Sequence, residues 1–493
     1  MEAIAVAFNK SIAAEFDLKL KSRKVGNFPP TPQQVDFIQA FATQRDSLLA
    51  EAVAGSGKTT TLLTAALAVP NASWTCKTMH GLGYMAWQNK IGRRLIVDSD
   101  KLFKILKKYD GIEREMFGPV LALARLGKTA GIVPKNSPRG NSLLLDETET
   151  WEDLADHYNE EFSDEILYLT RKLLNDSIIA GQSGSVDFDD MLYLPVCFSG
   201  VFHKHDLVLV DEVQDLSAIQ HVMLRKTLAK TGVLCAVGDR NQAIYGFRGA
   251  LADSIPALIE DFSLSTYPLT VSFRCPKAVV REAQTVVPHI QSFDGAPEGD
   301  VIYHPEMTLR NIPQTVLCRN TAPLINLALR LIGAGRGAKI AGRDIGKSLA
   351  RLVKKISPAP CKLSVFSEKL DAFVEGQISR KPRVEQSMRD KQAALEAICN
   401  RAQAMSAGLA TSDTIADIIT ELYDRNAPGA VYLSTIHKAK GLEWQEVLFL
   451  DPQLIPSCYA SRDWQYQQER NLKYVGVTRA QQVLHYTESE TIL

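Results

Sequence analysis

Short apolar runs alternate with helical patterns along much of this chain. Ser47–Ala50, Leu207–Val210 and Gly232–Val237 contain almost no polar residue, as expected for strands buried on both faces of a sheet. Apolar residues at helical spacing follow the first run over Thr60–Ala68, and strand and helix patterns alternate again over Val316–Leu352. This alternation predicts an α/β fold built on parallel sheets.

Two stretches interrupt the alternation. Over Tyr84–Phe202 apolar residues recur at helical spacing, broken by the polar loop Val133–Ser142. This stretch is too long for a loop between two elements of the same sheet domain, so it predicts an inserted helical domain. In the second stretch, residues 357–429, we expect helices near Gln386–Met405 and Thr414–Tyr423.

A glycine-rich loop joins the first predicted strand to its helix. It has the sequence EAVAGSGKTT over Glu51–Thr60, which would place backbone amides at a helix N-terminus, facing a phosphate chain. Lys58 would reach the β- and γ-phosphates of ATP, and the Thr59 hydroxyl would bind Mg²⁺. The alternative is a chance glycine-rich turn. The predicted ATP contacts in this loop are Ala54, Gly55, Ser56, Gly57, Lys58, Thr59 and Thr60.

A pair of acids follows the second apolar run, in DLVLVDEVQD over Asp206–Asp215. Carboxylates at the end of a buried parallel strand lie where α/β proteins bind ligands. Asp211 would hold Mg²⁺ and Glu212 would activate the attacking water. Paired acids alone are usually a solvated turn, and the glycine-rich loop favours the catalytic interpretation.

The third apolar run leads into GDRNQAIYGFRGA over Gly238–Ala250. Gln242 follows the strand closely enough for its amide to sense a γ-phosphate. Tyr245, Phe247 and Arg248 form an aromatic and basic group of the kind that stacks on single-stranded bases. Alternatively, the two aromatic residues belong to the core.

Composition restricts the class of protein. Lysine plus arginine and aspartate plus glutamate both number 56, and the pI is about 7.1, so nucleic acid would have to bind a local groove. The eight cysteines are scattered without a CxxC pair, which indicates free thiols in a reducing compartment. There is neither a secretory leader nor a long apolar span, so we expect a soluble cytoplasmic protein.

Together these motifs resemble those of the UvrD/Rep/PcrA group of superfamily 1A DNA helicases. Further motifs extend the resemblance towards both ends of the chain. They are TPQQ with Gln34, LTVSFRCP over Leu269–Pro276, STIHKAKGLEW over Ser434–Trp444 and ERNLKYVGVTRA over Glu469–Ala480.

The resemblance implies an α/β protein of two RecA-like parallel-sheet motor domains with inserted, mainly helical subdomains. Residues 1–85 and 203–265 would form the first motor domain, 86–202 its helical insertion, 266–356 and 430–493 the second motor domain, and 357–429 a small insertion. ATP and Mg²⁺ would be bound in the cleft between the motor domains. The partners would be single-stranded DNA and single/double-strand junctions, with movement 3′ to 5′ in repair or recombination.

The resemblance also implies roles for single residues. Gln34 would recognise adenine, Phe273 replaces a tyrosine that stacks on it, and Glu443 would contact the ribose. Arg274 and Arg479 would be arginine fingers that neutralise the γ-phosphate. The implied DNA contacts outside the aromatic group are Thr78, His80 and His437. We expect the acidic segment Val186–Met191 to have a structural role.

One family element is out of place. In the family a strand and helix follow the P-loop helix, but here that helix ends at Val69–Pro70 and the next motif follows directly. The missing element resembles Glu2–Leu20, with Phe8, Asn9 and Lys10 at its DNA-contacting positions. We therefore expect Ala3–Phe8 to pair inside the first motor sheet. The alternative is an unrelated edge strand and a lost groove element.

Two other functional classes stay open from the sequence. The insertion at 357–429 is far shorter than in larger family members, so the chain could be a DNA-stimulated ATPase switch or a protein-displacing translocase without robust duplex unwinding. Only 13 residues follow the last motif, so we expect no fused nuclease.

Overall fold

The chain divides into two compact units, Met1–Leu269 and Thr270–Leu493. The structure is a computed structural model, and it describes residues 2–7, 14, 18, 29–44, 46–69, 72–158, 160–246, 254–334, 336–380, 385–405, 410–424 and 430–493. Within these ranges no helix is long and apolar enough to cross a membrane.

The first unit is organised around a six-stranded, all-parallel sheet of order β3-β1-β6-β7-β2-β8. Its strands and a small separate pair, β4 with β5, are, in chain order, β1 Glu2–Ala7, β2 Leu48–Ala52, β3 Ser73–Thr78, β4 Ile96–Val97, β5 Ser185–Val186, β6 His205–Val210, β7 Leu228–Gly238 and β8 Ser265–Leu269. The motif-based boundary at 265/266 therefore lies within β8, which pairs with β2.

The helices of this unit are α1 Pro32–Gln44, α2 Lys58–Leu67, α3 Met79–Ile91, α4 Lys101–Leu106, α5 Phe117–Ala130, α6 Thr148–His157, α7 Asp164–Gln182, α8 Asp190–Cys197, α9 Ala218–Thr227 and α10 Ser254–Phe262. Four of them, α4 to α7, enclose a core of their own that includes Leu123, Trp151 and Leu173. This helical core lies within the predicted insertion.

Strand β1 occupies an interior position of the first sheet. It pairs in parallel with β3 on one side, where Glu2 is in register with Ser73, and with β6 on the other. Its side chains alternate between two cores, Ile4 on one face and Ala5 on the other. The relocation hypothesis requires this pairing. The hypothesis itself, which concerns chain order in relatives, stays a prediction.

The second unit contains another six-stranded parallel sheet, of order β11-β16-β15-β12-β14-β13. Its strands and the small pair β9 with β10 are β9 Val271–Ser272, β10 Gln291–Ser292, β11 Asp300–Tyr303, β12 Thr315–Cys318, β13 Ala338–Ile340, β14 Val431–Thr435, β15 Trp444–Leu450 and β16 Ala480–Thr487. Its helices are α11 Lys277–Ala283, α12 Thr321–Gly333, α13 Arg343–Ile356, α14 Leu363–Arg380, α15 Glu385–Met405, α16 Ser412–Asp424, α17 Ile436–Ala439 and α18 Asp463–Val477. Two parallel α/β sheets confirm the predicted fold class.

Among the residues that the structure describes, helices α14 to α16, which correspond to the predicted second insertion, do not enclose a separate core. Phe366, Leu395 and Ile415 from these helices are buried in one cluster with Val316 and Leu433 of the sheet. The helices therefore extend the core of the second unit.

Candidate nucleotide site and nucleic-acid interface

The glycine-rich loop connects β2 to the N-terminus of α2. Gly55 and Gly57 have φ of +74° and +76°, a conformation that favours glycine. The Val53 amide donates to the carbonyl of Leu269 across 3.0 Å, which fixes the start of the loop. Ser56 is buried, and its hydroxyl has no hydrogen-bond partner among the described residues. A bound phosphate would satisfy this hydroxyl, so the loop fits a nucleotide.

Gln34 supports this loop from α1. Its amide nitrogen donates to the carbonyl of Ser56 at 3.1 Å and to the hydroxyl of Thr61 at 2.8 Å, and its oxygen accepts from the Thr31 amide at 2.8 Å. A Cβ on Gly57 would lie 3.2 Å from the Gln34 nitrogen. These contacts engage both N–H donors of the Gln34 amide, whereas its oxygen can accept a second hydrogen bond, and the recognition of adenine stays a prediction.

The two predicted acids lie beside the loop, at the end of β6. The Thr59 hydroxyl donates to Asp211 Oδ2 across 2.7 Å, and Lys58 Nζ lies 3.9 Å from Glu212 Oε1. Burial, together with the charge of Glu212, raises the pKa of Asp211 to about 7. A divalent cation would stabilise the carboxylate here, so Thr59 and Asp211 fit a Mg²⁺ site.

A chain of buried amides and carboxylates connects the predicted γ-phosphate sensor to the predicted base. The side-chain amide of Gln242 donates to the Asp239 carboxylate across 2.7 Å, and the backbone amide of Asp239 donates to Gln214 Oε1 across 3.0 Å. The side-chain amide of Gln214 in turn donates to the Glu212 carboxylate. Burial raises the pKa of Asp239. Sequence reasoning missed Gln214 and Asp239, although both lie within the motifs that it identified.

The predicted arginine fingers lie close together in the second unit. Arg274 forms an ion pair with Glu443, whose other oxygen accepts from Gln481 at 2.8 Å. Arg479 is 1% exposed and donates to the carbonyls of Val475 at 2.9 Å and Leu442 at 3.0 Å. Burial, and then the neighbouring Arg274, lowers the pKa of Arg479 to about 9. With a further bond to the Thr478 hydroxyl, three of the five N–H donors of Arg479 are engaged within the second unit, and its role as an arginine finger stays a prediction.

Phe273, the predicted adenine-stacking residue, stacks on another aromatic ring of the second unit. Its ring centroid lies 5.7 Å from that of Phe293, and the planes differ by 28°. Phe293 follows β10 and was not identified from the sequence. Phe273 thus has a flat aromatic neighbour, and its contact with adenine stays a prediction.

The predicted DNA contacts are partly described. Tyr245 is half-buried, and His437 lies on the short helix α17. The Thr78 hydroxyl caps α3 by accepting from the Gly81 amide at 3.0 Å. The remaining predicted contacts, Phe8, Asn9, Lys10, Phe247 and Arg248, lie outside the described residues.

An exposed phenylalanine lies beside His80. Phe188 is 55% exposed, and its ring meets the edge of the His80 ring at a centroid distance of 6.3 Å. Burial lowers the pKa of His80, which favours its neutral form. A large exposed aromatic ring next to a predicted DNA contact is a candidate stacking residue that sequence reasoning missed.

Asp187 and Asp190, which flank Phe188 in the sequence, form ion pairs with buried lysines. Asp190 lies 2.6 Å from Lys101 Nζ and 2.7 Å from Lys128 Nζ, and Asp187 lies 2.6 Å from Lys128 Nζ. Burial alone would raise the pKa of Asp190, but the two lysine charges outweigh it and hold this pKa below its ordinary value. This buried charge cluster links α4 and α5 to the segment that carries Phe188, in agreement with the expected structural role.

Comparison with known families and proteins gives matches in both halves of the chain. Residues 99–263 match the UvrD/REP helicase N-terminal domain, and residues 430–485 match the UvrD-like helicase C-terminal domain. The second match contains the motifs with His437, Glu443 and Arg479.

Individual relatives align over part of their length. DNA helicase II of Haemophilus influenzae is 30% identical over 114 residues, which is 22% of this chain and 16% of that protein. DNA helicase II of Escherichia coli is 26% identical over 175 residues, covering 34% and 24%, and ATP-dependent DNA helicase PcrA of Bacillus subtilis is 28% identical over 140 residues, covering 27% and 18%. The alignments thus span less than a quarter of each relative's length.

Proposed function

The chain belongs to the UvrD-like helicases of superfamily 1A, and from this we propose that it couples ATP hydrolysis to 3′-to-5′ movement along single-stranded DNA. Lys58 would bind the β- and γ-phosphates. Thr59 and Asp211 would hold Mg²⁺, which would supply positive charge to those phosphates. Arg274 and Arg479, from the second unit, would neutralise the γ-phosphate in the cleft between the motor domains.

The observation that carries this proposal is a hydrogen-bonded network of side chains and one backbone amide in the first unit. The Thr59–Asp211 bond and the Gln242–Asp239–Gln214–Glu212 chain run from the P-loop to the predicted sensor. Through these hydrogen bonds, the loss or gain of a γ-phosphate contact at Gln242 would change the position of Glu212, the predicted base. Such a link is what a motor needs to time hydrolysis with movement.

DNA binding is proposed to combine phosphate contacts with stacking. Tyr245 and Phe188 supply aromatic surface in the first unit, and single strands bind such surfaces without regard to sequence. Binding through phosphates would be salt-sensitive. The substrates that we propose are single-stranded DNA and single/double-strand junctions.

One observation favours a second candidate, a translocase that displaces proteins but unwinds duplex poorly. The apolar faces of helices α14 to α16 pack into the core of the second unit, with Phe366 and Ile415 fully covered, so among the described residues these helices do not form a separate domain that could grip a duplex. Movement along a single strand would need only the two motor domains.

The dependence of ATPase rate on DNA length tests the proposal. For a translocase we expect turnover per protein to rise with the length of the single strand, because each encounter with a strand end interrupts stepping. A non-moving switch gives a rate that does not change with length.

A P-loop variant and a matched control test the assignment of the nucleotide site. Lys58→Ala should lower DNA-stimulated turnover by roughly a hundredfold or more, because it removes charge stabilisation at the γ-phosphate, while DNA binding persists. Lys104→Ala removes an exposed lysine of α4 and should leave turnover unchanged. Full turnover in Lys58→Ala would refute the site assignment.

A further inference from the structure

Two histidines and a glutamate meet at the start of β1 and β6, away from the nucleotide site. In the part of the chain that the structure describes, Glu2, His203 and His205 form a group whose ligand-type atoms all lie within 4.8 Å of one another. Glu2 begins β1, and the histidines are two residues apart on the extended segment leading into β6. Their rings have a centroid distance of 4.8 Å, and His203 contacts the Glu2 carboxylate directly.

His205 is the buried member of this group. It is only 6% exposed, and its Nδ1 atom has no hydrogen-bond partner among the described residues. A buried polar atom without a partner is unfavourable, so it calls for an additional ligand.

The surroundings leave room for such a ligand. The three side chains line a groove of about 220 Å³ whose walls include Leu82 and Phe202. Glu2 and His203 are 61% and 62% exposed, so their side chains are free to adjust. Ligand atoms around one tetrahedral zinc ion lie roughly 3.3 Å apart, given bonds of about 2.0–2.1 Å. Small side-chain rotations would bring the three groups to that spacing.

We propose that Glu2, His203 and His205 bind a divalent transition-metal ion of the zinc type, which fastens the start of β1 to β6. Two imidazoles and one carboxylate suit such ions better than Mg²⁺, which prefers oxygen ligands. The existing backbone contact, from the Glu2 amide to the Asp206 carboxylate at 3.2 Å, ties the same strand ends together.

This site is separate from the proposed ATPase chemistry. His205 begins β6, whereas Asp211 directly follows its other end. Six strand residues span roughly 17–20 Å, so neither metal could serve the other site. The ion would therefore stabilise β1 in the sheet, and its binding can be measured without ATP turnover.

Metal titration of the full chain tests this inference. The protein is stripped of metal with a chelator, transferred to buffer with excess Mg²⁺ and titrated with zinc. The zinc content is then measured by mass spectrometry after desalting. Cobalt(II) serves as a visible-absorption probe of coordination. We expect one zinc per chain, a cobalt spectrum with strong d–d bands, and a higher Tm for the zinc-loaded protein.

Matched variants locate the ion. Glu2→Gln and His203→Ala alter exposed side chains, so they should fold normally, weaken cobalt binding by about tenfold or more and abolish the zinc-dependent rise in Tm. His289→Ala removes an exposed histidine elsewhere and should change nothing. His304→Ala disrupts another close histidine pair among the described residues, His304 with His485 at 2.9 Å. Unchanged binding in Glu2→Gln and His203→Ala, or loss of binding only in His304→Ala, would overturn the proposal.

Discussion

Residue-scale contacts distinguish the two halves of the proposed ATP site. In the first unit, the Thr59 hydroxyl donates to Asp211 and Gln214 donates to Glu212, so the proposed Mg²⁺ ligands and the proposed base are held by bonds within that unit. In the second unit Arg479 donates to backbone carbonyls within its own unit. Each unit therefore holds its own proposed catalytic groups through contacts within that unit.

Phe188 gives the clearest residue-scale prediction for DNA. Phe188→Ala should weaken binding of single-stranded DNA by about 1–3 kcal/mol, because one stacking surface is lost. The change is measured by fluorescence anisotropy with a labelled oligonucleotide. Phe103→Ala is the control, since Phe103 is 48% exposed in the same insertion but packs near Phe117. Equal affinities for both variants would exclude Phe188 from the DNA interface.

At the scale of elements, the buried charge cluster joins helices α4 and α5 to the start of helix α8. Lys101 comes from α4, Lys128 from α5, and Asp190 begins α8. None of the lysines stands out in the sequence, because a lysine in an amphipathic helix is usually solvated. Only the fold shows that Lys101 and Lys128 are buried and that the carboxylates of the acidic segment neutralise them.

Removing one lysine should destabilise the protein in a pH-dependent way. Lys128→Met should cost about 3–5 kcal/mol at pH 7, because it removes the lysine that pairs with buried Asp187 and leaves Asp190 with Lys101 alone. The pKa of Asp190 lies below its ordinary value of 3.8 in the folded protein, so its stabilisation is present above that pH and is lost as the pH falls through the folded pKa. The difference between variant and parent should therefore shrink in acid.

Urea unfolding at pH 7 and pH 3 measures this effect. Lys104→Met is the control, because it breaks an exposed pair with Asp98 in the same insertion and should have no measurable effect. A loss for Lys128→Met that does not depend on pH would mean that the cluster acts through packing alone.

Strand β1 allows the relocation hypothesis to be tested directly. Because Glu2 is in register with Ser73, the start of β1 lies beside the start of β3. A rearranged chain with residues 2–20 moved to between Pro70 and Asn71 should therefore fold and keep its DNA-stimulated ATPase rate within about threefold, given the short connections that parallel sheets allow. Deletion of residues 2–20 serves as the control and should abolish folding. Aggregation of the rearranged chain would count against the hypothesis.

At the scale of the whole molecule, the sequence predicted both parallel sheets and the nucleotide loop, because buried strands and a Gly-Lys-Thr turn have local signatures. It also predicted that Ala3–Phe8 pairs inside the first sheet, and Ala3–Ala7 of this range belongs to β1, between β3 and β6, whereas Phe8 lies outside the described residues. It could not show that α14 to α16 share the core of the second unit, because an apolar pattern does not specify which surface it covers. Nor could it find Gln214 or Phe188, whose roles depend on neighbours far away in the chain.

The most direct test of the central claim is directional displacement of streptavidin from biotinylated single-stranded DNA. With ATP, the parent chain should remove streptavidin from the 5′ end much faster than from the 3′ end, and Lys58→Ala should remove it from neither. This assay does not require duplex unwinding, so it also detects movement by a translocase that unwinds duplex poorly. ATP-independent release, or equal rates at both ends, would contradict ATP-driven 3′-to-5′ movement.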